Sequence, residues 1–491
     1  MGHPRPVRRP PNLVLILVAG AAALVLAFHW LEAVVGPLVD VLAGGGSVLE
    51  KAPWRLLAAA PGLLVLALVG RVVLSLLPPG PLGSHTPRDL PVTWAASHLL
   101  GTLIAGLSLA AFEPRTPLGL AALLLPWAPV AGLRIATLPG AMVPRHDLRL
   151  QATDRAPTAL TALVLLAALL PCVLVAIDFR PPAAEEPTAP WLAAHGPPLP
   201  VAAELLLNGL GLGAQADQAW RLFVPATWAA LLVLLAHALE LARRDPWGRT
   251  AVVVLGALTI LPVAQVVLSD GTVLSAAFSG AAACAFVPWL RRADRRARWL
   301  ALLALAGLAA SGAALLALVG VAALLAATPG PSRRSCARDA LATGAALGLC
   351  LARRPGAWSG SDLAPILPAN GLRAMLQSAG DPYLWGLVWP VFALAVFWLP
   401  WSLRAGMQRA PTEIGLGVVP AQDPRRELVA VGLLLLGGLG LGAAPAPDTL
   451  LVLYGPALLF LALVLVPPSA ERAATTEGGP GGDPQPDALP R

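Results

Sequence analysis

The chain has 491 residues, of which 57% are hydrophobic and only 12% are charged. A soluble globular protein carries about 25% charged residues, so this composition cannot cover a water-facing surface of ordinary size. The chain is therefore predicted to be an all-α polytopic membrane protein, and soluble enzymes, disordered chains and disulfide scaffolds are excluded. The net charge of +7 comes from short arginine clusters between apolar runs. Such clusters are typical of cytoplasmic loops and do not indicate a nucleic-acid partner.

Apolar runs of the length that crosses a bilayer, about 20 residues, recur from Leu13 to Pro467. The first run is predicted to be an uncleaved first helix, because no small-residue cleavage site follows it. The run 299–327 is too long for one crossing and is interrupted by Ala310-Ser311-Gly312, so it is predicted to form a hairpin of two short helices. The predicted spans are 13–36, 56–77, 92–112, 117–138, 157–177, 219–241, 250–268, 271–290, 299–327, 337–352, 383–403, 427–444 and 449–467.

The arginines indicate the orientation, because positively charged residues stay on the cytoplasmic side of a membrane. With a cytoplasmic amino terminus and 299–327 counted as a hairpin, every strong arginine cluster falls on the cytoplasmic side, whereas the external segment 178–218 is acidic. This predicts about twelve transmembrane helices plus a short hairpin, with both termini cytoplasmic. Arg71 lies inside a span and is expected to extend its charged end to the cytoplasmic boundary.

Three regions are predicted along the chain. Residues 1–156 form an amino-terminal four-helix membrane region, and 157–467 form a transmembrane core. The core carries two external loops, 178–218 and 353–382, which are longer than a simple connection needs, and long loops are often functional. Residues 468–491 are rich in Gly, Pro and acidic residues, which predicts a disordered cytoplasmic tail.

No phosphate-binding loop, zinc-protease motif or hydrolase elbow is present, so the candidate chemistry lies in polar residues at the membrane boundaries. Asp178 ends the fifth span on its outer side, and Glu185, Glu186 and His195 follow it. Asp270 lies in a Ser-Asp-Gly turn on the same side. Partial desolvation at such a boundary favours general-base chemistry by a carboxylate. The alternative is that these residues only end a helix, solvate a loop and form a plain turn.

The remaining histidines and cysteines give no site. His98 and His237 lie within spans and are expected to be packing residues. The four cysteines have no CxxC spacing, so neither a metal site nor a disulfide framework is predicted.

From Asp178 onward the order of features resembles the GT-C superfamily of membrane glycosyltransferases, in particular the dolichyl-phosphate-mannose-protein mannosyltransferase and aminoarabinose-transferase-like branch. The resemblance covers roughly 157–467, and it depends on the order and sidedness of the motifs. The matching elements are Asp178 with Glu185 and Glu186, His195-Gly196-Pro197-Pro198-Leu199, Ala219-Trp220-Arg221-Leu222, Ser269-Asp270, Trp289-Leu290-Arg291-Arg292, the Gly-rich hairpin from Ala306 to Leu325, Phe397-Trp398-Leu399-Pro400-Trp401 and Tyr454-Gly455-Pro456.

The resemblance implies a GT-C-like core in a bacterial plasma membrane. It implies transfer of a sugar from a polyprenyl-phosphate donor to an external lipid, glycan or protein acceptor. The implied catalytic residues are Asp178, Glu186, Glu185 and Asp270. Arg221, Arg180 and Arg373 would bind the donor phosphate, and His195 would belong to the acceptor loop. No cofactor and no essential metal are expected. The alternatives are a polytopic transporter or flippase and a non-catalytic GT-C-like membrane protein.

Overall fold

The structure is a computed structural model that describes part of the chain. The described residues are 47–78, 90–112, 117–124, 126–127, 129–130, 157, 159–163, 165–166, 173, 198–210, 219–242, 244–259, 272–352, 377–381, 388–407, 425–440 and 446–466.

The described regular structure consists of α-helices, as the composition predicts. They are α1 (Ser47–Leu76), α2 (Leu90–Phe112), α3 (Pro117–Leu124), α4 (Pro198–Leu210), α5 (Ala219–Leu241), α6 (Pro246–Leu258), α7 (Thr272–Arg292), α8 (Arg295–Ala310), α9 (Ala314–Ala327), α10 (Gly330–Leu351), α11 (Val388–Met407), α12 (Arg425–Gly440), α13 (Ala446–Val452) and α14 (Tyr454–Leu465).

Four helices in the described ranges are long and apolar enough to cross a membrane: Leu56–Leu76, Pro91–Phe112, Leu222–Leu241 and Thr272–Arg291. Each coincides within a few residues with a predicted span, which supports the prediction of a membrane protein. The total of about twelve crossings stays a prediction, because several spans lie wholly or partly outside the described residues. The span 13–36 and most of the span 157–177 lie outside the described residues. The predicted tail 468–491 and most of the predicted loop 353–382 lie outside them as well.

Helix α7 is the centre of the bundle. It packs against α5, α8, α12, α13 and α14, and 94% of its apolar window is buried inside the protein. Helices α1 and α2 pair with each other and pack on α4, and α2 also packs on α5 and α8. The predicted amino-terminal region is therefore in direct contact with the predicted core.

The pairing of α1 and α2 depends on two glycines at the helix crossing. A Cβ atom on Gly70 would lie 1.7 Å from the carbonyl oxygen of Ser97, and one on Gly101 would lie 1.8 Å from that of Leu66. Only a residue without a side chain allows the two backbones to approach this closely. Small residues at helix crossings are how membrane helices gain packing contacts, because lipid supplies no hydrophobic drive between them.

The predicted break in the run 299–327 is confirmed. Helix α8 ends at Ala310 and α9 begins at Ala314. Gly312, between them, has a φ of 104°, a backbone conformation that glycine adopts without steric cost. Helices α8 and α9 pack against each other, so the two form the predicted hairpin.

Two elements differ from the sequence predictions. The predicted external loop 178–218 contains α4, whose residues Leu199, Leu206 and Leu207 are fully buried. Pro198 and Pro200 lie in the first turn of α4, where proline is well tolerated. The predicted span 449–467 is divided at Leu453 into α13 and α14. Pro456 has no N–H for the carbonyl of residue 452, which explains the break there.

We predict that Gly70→Ala destabilises the folded protein by about 1–3 kcal/mol, because the new methyl group overlaps the Ser97 carbonyl. Thermal or denaturant unfolding in detergent, followed by circular dichroism, measures the change. Gly344→Ala is the matched control, since a Cβ at Gly344 meets nothing within 4 Å. That variant should be neutral or more stable by up to about 1 kcal/mol. Equal stability of the two variants would contradict the close crossing.

Candidate functional site

Most residues that the sequence predicts for catalysis lie outside the described part of the chain. Arg221 is in the first turn of α5, and its side chain is not described. The structure therefore leaves their grouping into one site as a prediction. The predicted site residues outside the described ranges are Asp178, Arg180, Glu185, Glu186, His195, Asp270 and Arg373.

The predicted site residues are expected at the end of the bundle where α8 turns into α9, at Ser311 and Gly312. We call this turn the hairpin tip. Ser275, in the first turn of α7, donates from its hydroxyl to Ser311 Oγ at 2.9 Å. Ser311 itself donates to the carbonyl oxygen of Leu308 at 2.9 Å. Asp270 precedes α7 by two residues in the chain. We call the end of the bundle that holds Ser275 and Ser311 the hairpin end.

The opposite end of the bundle contains arginines that bind the carbonyl groups at helix C-termini. Arg296 donates to the carbonyl oxygen of Leu74 in the last turn of α1, at 2.7 Å. Arg291 donates to that of Ala242, just after α5, at 2.7 Å. Arg244 donates to that of Val466, just after α14, at 2.9 Å. The last carbonyls of a helix have no partner within the helix and carry partial negative charge. We call this end, with Arg244, Arg291, Arg296 and Arg298, the basic end.

A buried ion pair lies at the basic end. The Arg291 guanidinium donates to the carboxylate of Glu427 in the first turn of α12. Glu427 is 0% exposed, so its charge depends on this partner. Burial lowers the pKa of the nearby Arg244 to about 10, with the charge of Arg291 acting in the same direction and that of Glu427 opposing it. The pair connects α7 to α12 across 136 positions of sequence.

A second ion pair connects α8 to α10. Arg298 pairs with Asp339 and donates to Ser335 Oγ at 2.9 Å. Its guanidinium carbon is also 5.0 Å from the centre of the Trp289 ring, a cation–π contact. The Trp289 indole N–H donates to Thr328 Oγ1 at the end of α9, at 3.1 Å. The ends of α7 and α9 therefore lie beside the start of α8 and the amino-terminal half of α10.

These contacts agree with the alternation of the predicted spans. The predicted topology puts the ends of α1, α5, α7, α9 and α14 and the starts of α8, α10 and α12 on one side. In the structure these ends meet through the two ion pairs, the carbonyl contacts of the basic end and the Trp289–Thr328 hydrogen bond at the end of α9. The fold itself therefore places these helix ends on one and the same side of the bundle.

Arg71 also lies at the basic end. This is the end to which its side chain is expected to extend. It is half-buried on α1, one turn before Leu74. Burial lowers the pKa of Arg296 to about 10, with the charge of Arg71 acting in the same direction and that of Asp294 opposing it. Asp294 caps α8 by accepting from the backbone N–H of Arg296 at 2.9 Å.

The histidine predicted to pack inside α2 does so. His98 Nε2 lies 3.0 Å from Thr227 Oγ1 on α5. The Thr227 hydroxyl donates to the carbonyl oxygen of Phe223 at 2.9 Å, so the histidine is the donor in the first contact. The imidazole ring also contacts the rings of Trp94 and Phe223, at 5.7 and 5.0 Å between centroids. His98 is thus a packing residue that connects α2 to α5.

An apolar recess of about 50 Å³ lies between α2, α5, α7 and α8. His237 is the histidine in its lining, and the His237 Nδ1 atom is 3.9 Å from Glu240 Oε2. The recess is lined by Ala96, Leu99, Leu100, Leu234, His237, Ala238, Leu241, Phe278, Ala281, Cys284, Ala285, Pro288, Leu300 and Ala304. These residues lie toward the basic end, since Leu241 and Pro288 are close to the ends of α5 and α7.

In the described ranges no three His, Cys, Asp or Glu side chains come together as metal ligands. Cys284 and Cys336 are buried as free thiols, and Cys350 is a partly exposed one. The chain matches no known protein family, no curated protein and no solved structure.

Sequence reasoning missed Glu427 and Asp339 as partners of the basic end. Both lie at the edge of a predicted span, in 427–444 and 337–352. A carboxylate at such a position is costly in an apolar environment and needs a cation. The sequence therefore indicates that each carboxylate needs a cation, but it does not identify which arginine supplies it.

We predict that Glu427→Gln destabilises the protein by about 3–5 kcal/mol, because it leaves Arg291 without its buried counter-ion. The double variant Arg291→Met/Glu427→Leu should lose less than the sum of the single variants, since no charge is then left unpaired. Unfolding in mixed micelles measures both.

Glu240→Gln is the control for this prediction, because Glu240 pairs at 3.9 Å with a side chain on its own helix and is 38% exposed. Its effect should stay below about 1 kcal/mol. A Glu427→Gln variant as stable as Glu240→Gln would contradict the assigned ion pair.

Proposed function

We propose that the protein is a membrane glycosyltransferase with a GT-C-like core. It transfers a sugar from a polyprenyl-phosphate donor to a lipid, glycan or protein acceptor outside a bacterial plasma membrane. The observation that carries the proposal is the order of elements around α7. The residues Ser269-Asp270 precede α7 in the sequence, Arg291-Arg292 ends it, and the hairpin of α8 and α9 follows. This is the order that the family resemblance implies.

The basic end supports the proposed topology in the membrane. Its arginines are best accommodated on the cytoplasmic side. The hairpin end and the segment 178–218 then face the exterior, and both termini are cytoplasmic. A polyprenyl tail would lie between helices in the hydrocarbon, and its charged phosphate at the outer boundary.

The proposed reaction is a substitution at the anomeric carbon of the sugar. The acceptor oxygen or nitrogen forms a bond to that carbon while the carbon–oxygen bond to the polyprenyl phosphate breaks. A carboxylate takes the acceptor proton, and the polyprenyl phosphate leaves with the bonding electron pair. Arginines at the outer boundary neutralise the charge of the leaving phosphate. Arg221 is the first choice for this role, with Arg180 and Arg373 as the other candidates.

Among the carboxylates, Asp178 is the first choice as the base. It directly ends a predicted helix, and a general base must be held within hydrogen-bond reach of the acceptor. Glu185 and Glu186 lie between Pro182 and Pro187, outside the predicted helices, and Glu186 ranks second. Asp270 and His195 would support the acceptor or its loop. No cofactor or essential metal is part of the proposal.

We predict that membranes carrying this chain transfer sugar from a radiolabelled polyprenyl-phosphate sugar, and that membranes lacking it do not. Asp178→Asn should lower the transfer rate by about 10²–10⁴-fold, the usual contribution of a positioned base. Glu186→Gln is the test of the ranking, and Asp270→Asn should have the smaller effect of a supporting residue.

The outcomes of this assay are distinct. Normal transfer by Asp178→Asn with loss in Glu186→Gln would reverse the ranking. Normal transfer by all three variants would overturn the assignment of the site. Absence of transfer with net movement of the lipid-linked sugar across the membrane would favour the flippase alternative.

The orientation can be tested independently of activity. A reporter fused after Glu186 should be external, and one fused after Arg295 should be cytoplasmic. Alkaline phosphatase and green fluorescent protein fusions report the two sides. Both fusion points on one side would contradict the topology and the site assignment together.

A further inference from the structure

One face of α10 changes from charged to apolar along its length. Arg334 and Arg338 are exposed and lie one turn apart. The same helical spacing of three or four positions continues through Leu341 and Ala345 to Leu349. Leu341 and Leu349 are 75% and 79% exposed, more than any other large apolar side chain in the described ranges. We call the face that carries these five residues the outer face of α10.

The opposite face of α10 is packed on the bundle. Its Asp339 pairs with Arg298 of α8, and Cys336, Leu347 and Leu351 are buried. The helix contacts α8 and α2 along this side. The outer face therefore points away from the bundle, and its basic part lies at the basic end.

The length of the apolar part matches one leaflet of a membrane. Leu349 lies eleven positions after Arg338, which is about 16 Å along a helix. One leaflet contributes about 15 Å of hydrocarbon, half of the thickness of the apolar core. Lipid chains that cover the residues from Leu341 to Leu349 would thus place their head groups at the level of Arg338 and Arg334.

The two arginines of this face carry more positive charge than the nearby carboxylate balances. Arg334 makes no hydrogen bond or ion pair with a described residue. Arg338 has one ionic contact, to Asp339 Oδ1 at 3.7 Å, and Asp339 is also the partner of Arg298. Like charges one turn apart on a helix repel each other. A phosphate between Arg334 and Arg338 relieves this repulsion, and guanidinium groups bind phosphate through paired hydrogen bonds.

The same charges favour a lipid over a second copy of the chain. A Cβ atom on Gly344 or Gly348 would meet nothing within 4 Å, so the apolar part has open space close to the helix backbone. Glycines at this spacing also occur where two membrane helices pair. A parallel pair formed through the outer face, however, would bring Arg334 and Arg338 of both copies together without an anion.

We propose that the outer face of α10 binds an anionic phospholipid of the leaflet at the basic end. The phosphate lies between Arg334 and Arg338, and an acyl chain lies along Leu341, Ala345 and Leu349. Arginines near a membrane surface attract lipids of net negative charge, whereas the ammonium of a zwitterionic lipid offsets its phosphate. The site is independent of the transferase proposal, because none of its residues belongs to the proposed catalytic groups.

The first test compares two lipids on the full-length protein in detergent. Native mass spectrometry with added dioleoyl-phosphatidylglycerol or dioleoyl-phosphatidylcholine gives the ratio of apparent dissociation constants. Phosphatidylglycerol should bind more tightly, and Arg334→Gln and Arg338→Gln should each reduce this preference by about fivefold. Arg333→Gln is the matched control, because the Arg333 guanidinium donates to the carbonyl oxygens of Ala326 and Thr328 at the end of α9. That variant should keep the preference.

The second test locates the lipid. Phosphatidylglycerol with a diazirine group in one acyl chain should label the peptide 341–352 on irradiation, and the phosphatidylcholine analogue should label it less. The double variant Arg334→Gln/Arg338→Gln should lose the label. Arg334→Lys/Arg338→Lys keeps both charges and should keep it. All of these variants should fold, because both side chains are exposed and neither supports a buried group.

Three results would overturn the proposal. Equal binding of the two lipids, or a label that is absent from α10, would remove the lipid from this face. Thermal stabilisation by inorganic phosphate equal to that by phosphatidylglycerol would mean an anion site without a lipid. A dimer that cross-links through α10 and excludes the label would assign the face to a second copy of the chain.

Discussion

The bundle depends on the binding of arginine side chains to the carbonyl groups at helix C-termini. A helix in an apolar environment leaves its last carbonyls without partners, and each unsatisfied group there is costly. Leu74, Ala242 and Val466 supply such carbonyls, and an arginine from elsewhere in the chain binds each. A hydrogen bond to a charged donor contributes about 1.5–3 kcal/mol. Each contact also fixes the height of one helix relative to another.

The same arginines need anions, because a buried guanidinium is costly by itself. Glu427 meets this need for Arg291 in the first turn of α12, and Asp339 does the same for Arg298 in the third turn of α10. Glu427 is also favoured at its position by the positive end of the α12 dipole. One charge layer therefore satisfies helix ends of both polarities. Along α1 and α2, close backbone approach at Gly70 and Gly101 also holds the two helices together, without any charge.

The sequence predicts local features of this fold well and long-range features poorly. Apolar runs give α2, α5 and α7 within two residues at each end, because the length of a crossing helix is set by the thickness of the hydrocarbon. The break at Ser311 and Gly312 was predictable from the excessive length of its run. Helix α4 was not, since its 13 residues are too few for a crossing and it begins in a proline-rich stretch. The partners Arg291 and Glu427 are 136 residues apart, and no local pattern indicates their pairing.

The candidate site shows the same division between local and long-range information. Asp178 and Asp270 are candidates because they lie at the ends of predicted spans, which is a local property of the sequence. A catalytic group, by contrast, is defined by the groups that face it in space. The architecture does separate two environments along α7, whose 21 residues extend about 30 Å. The basic end holds the ion pairs and carbonyl contacts that fix the helices. The hairpin end has small hydroxyl contacts between Ser275 and Ser311. Because the stabilising charges lie at the far end of α7, residues near the hairpin tip are free to be selected for a reaction and not for holding the bundle together.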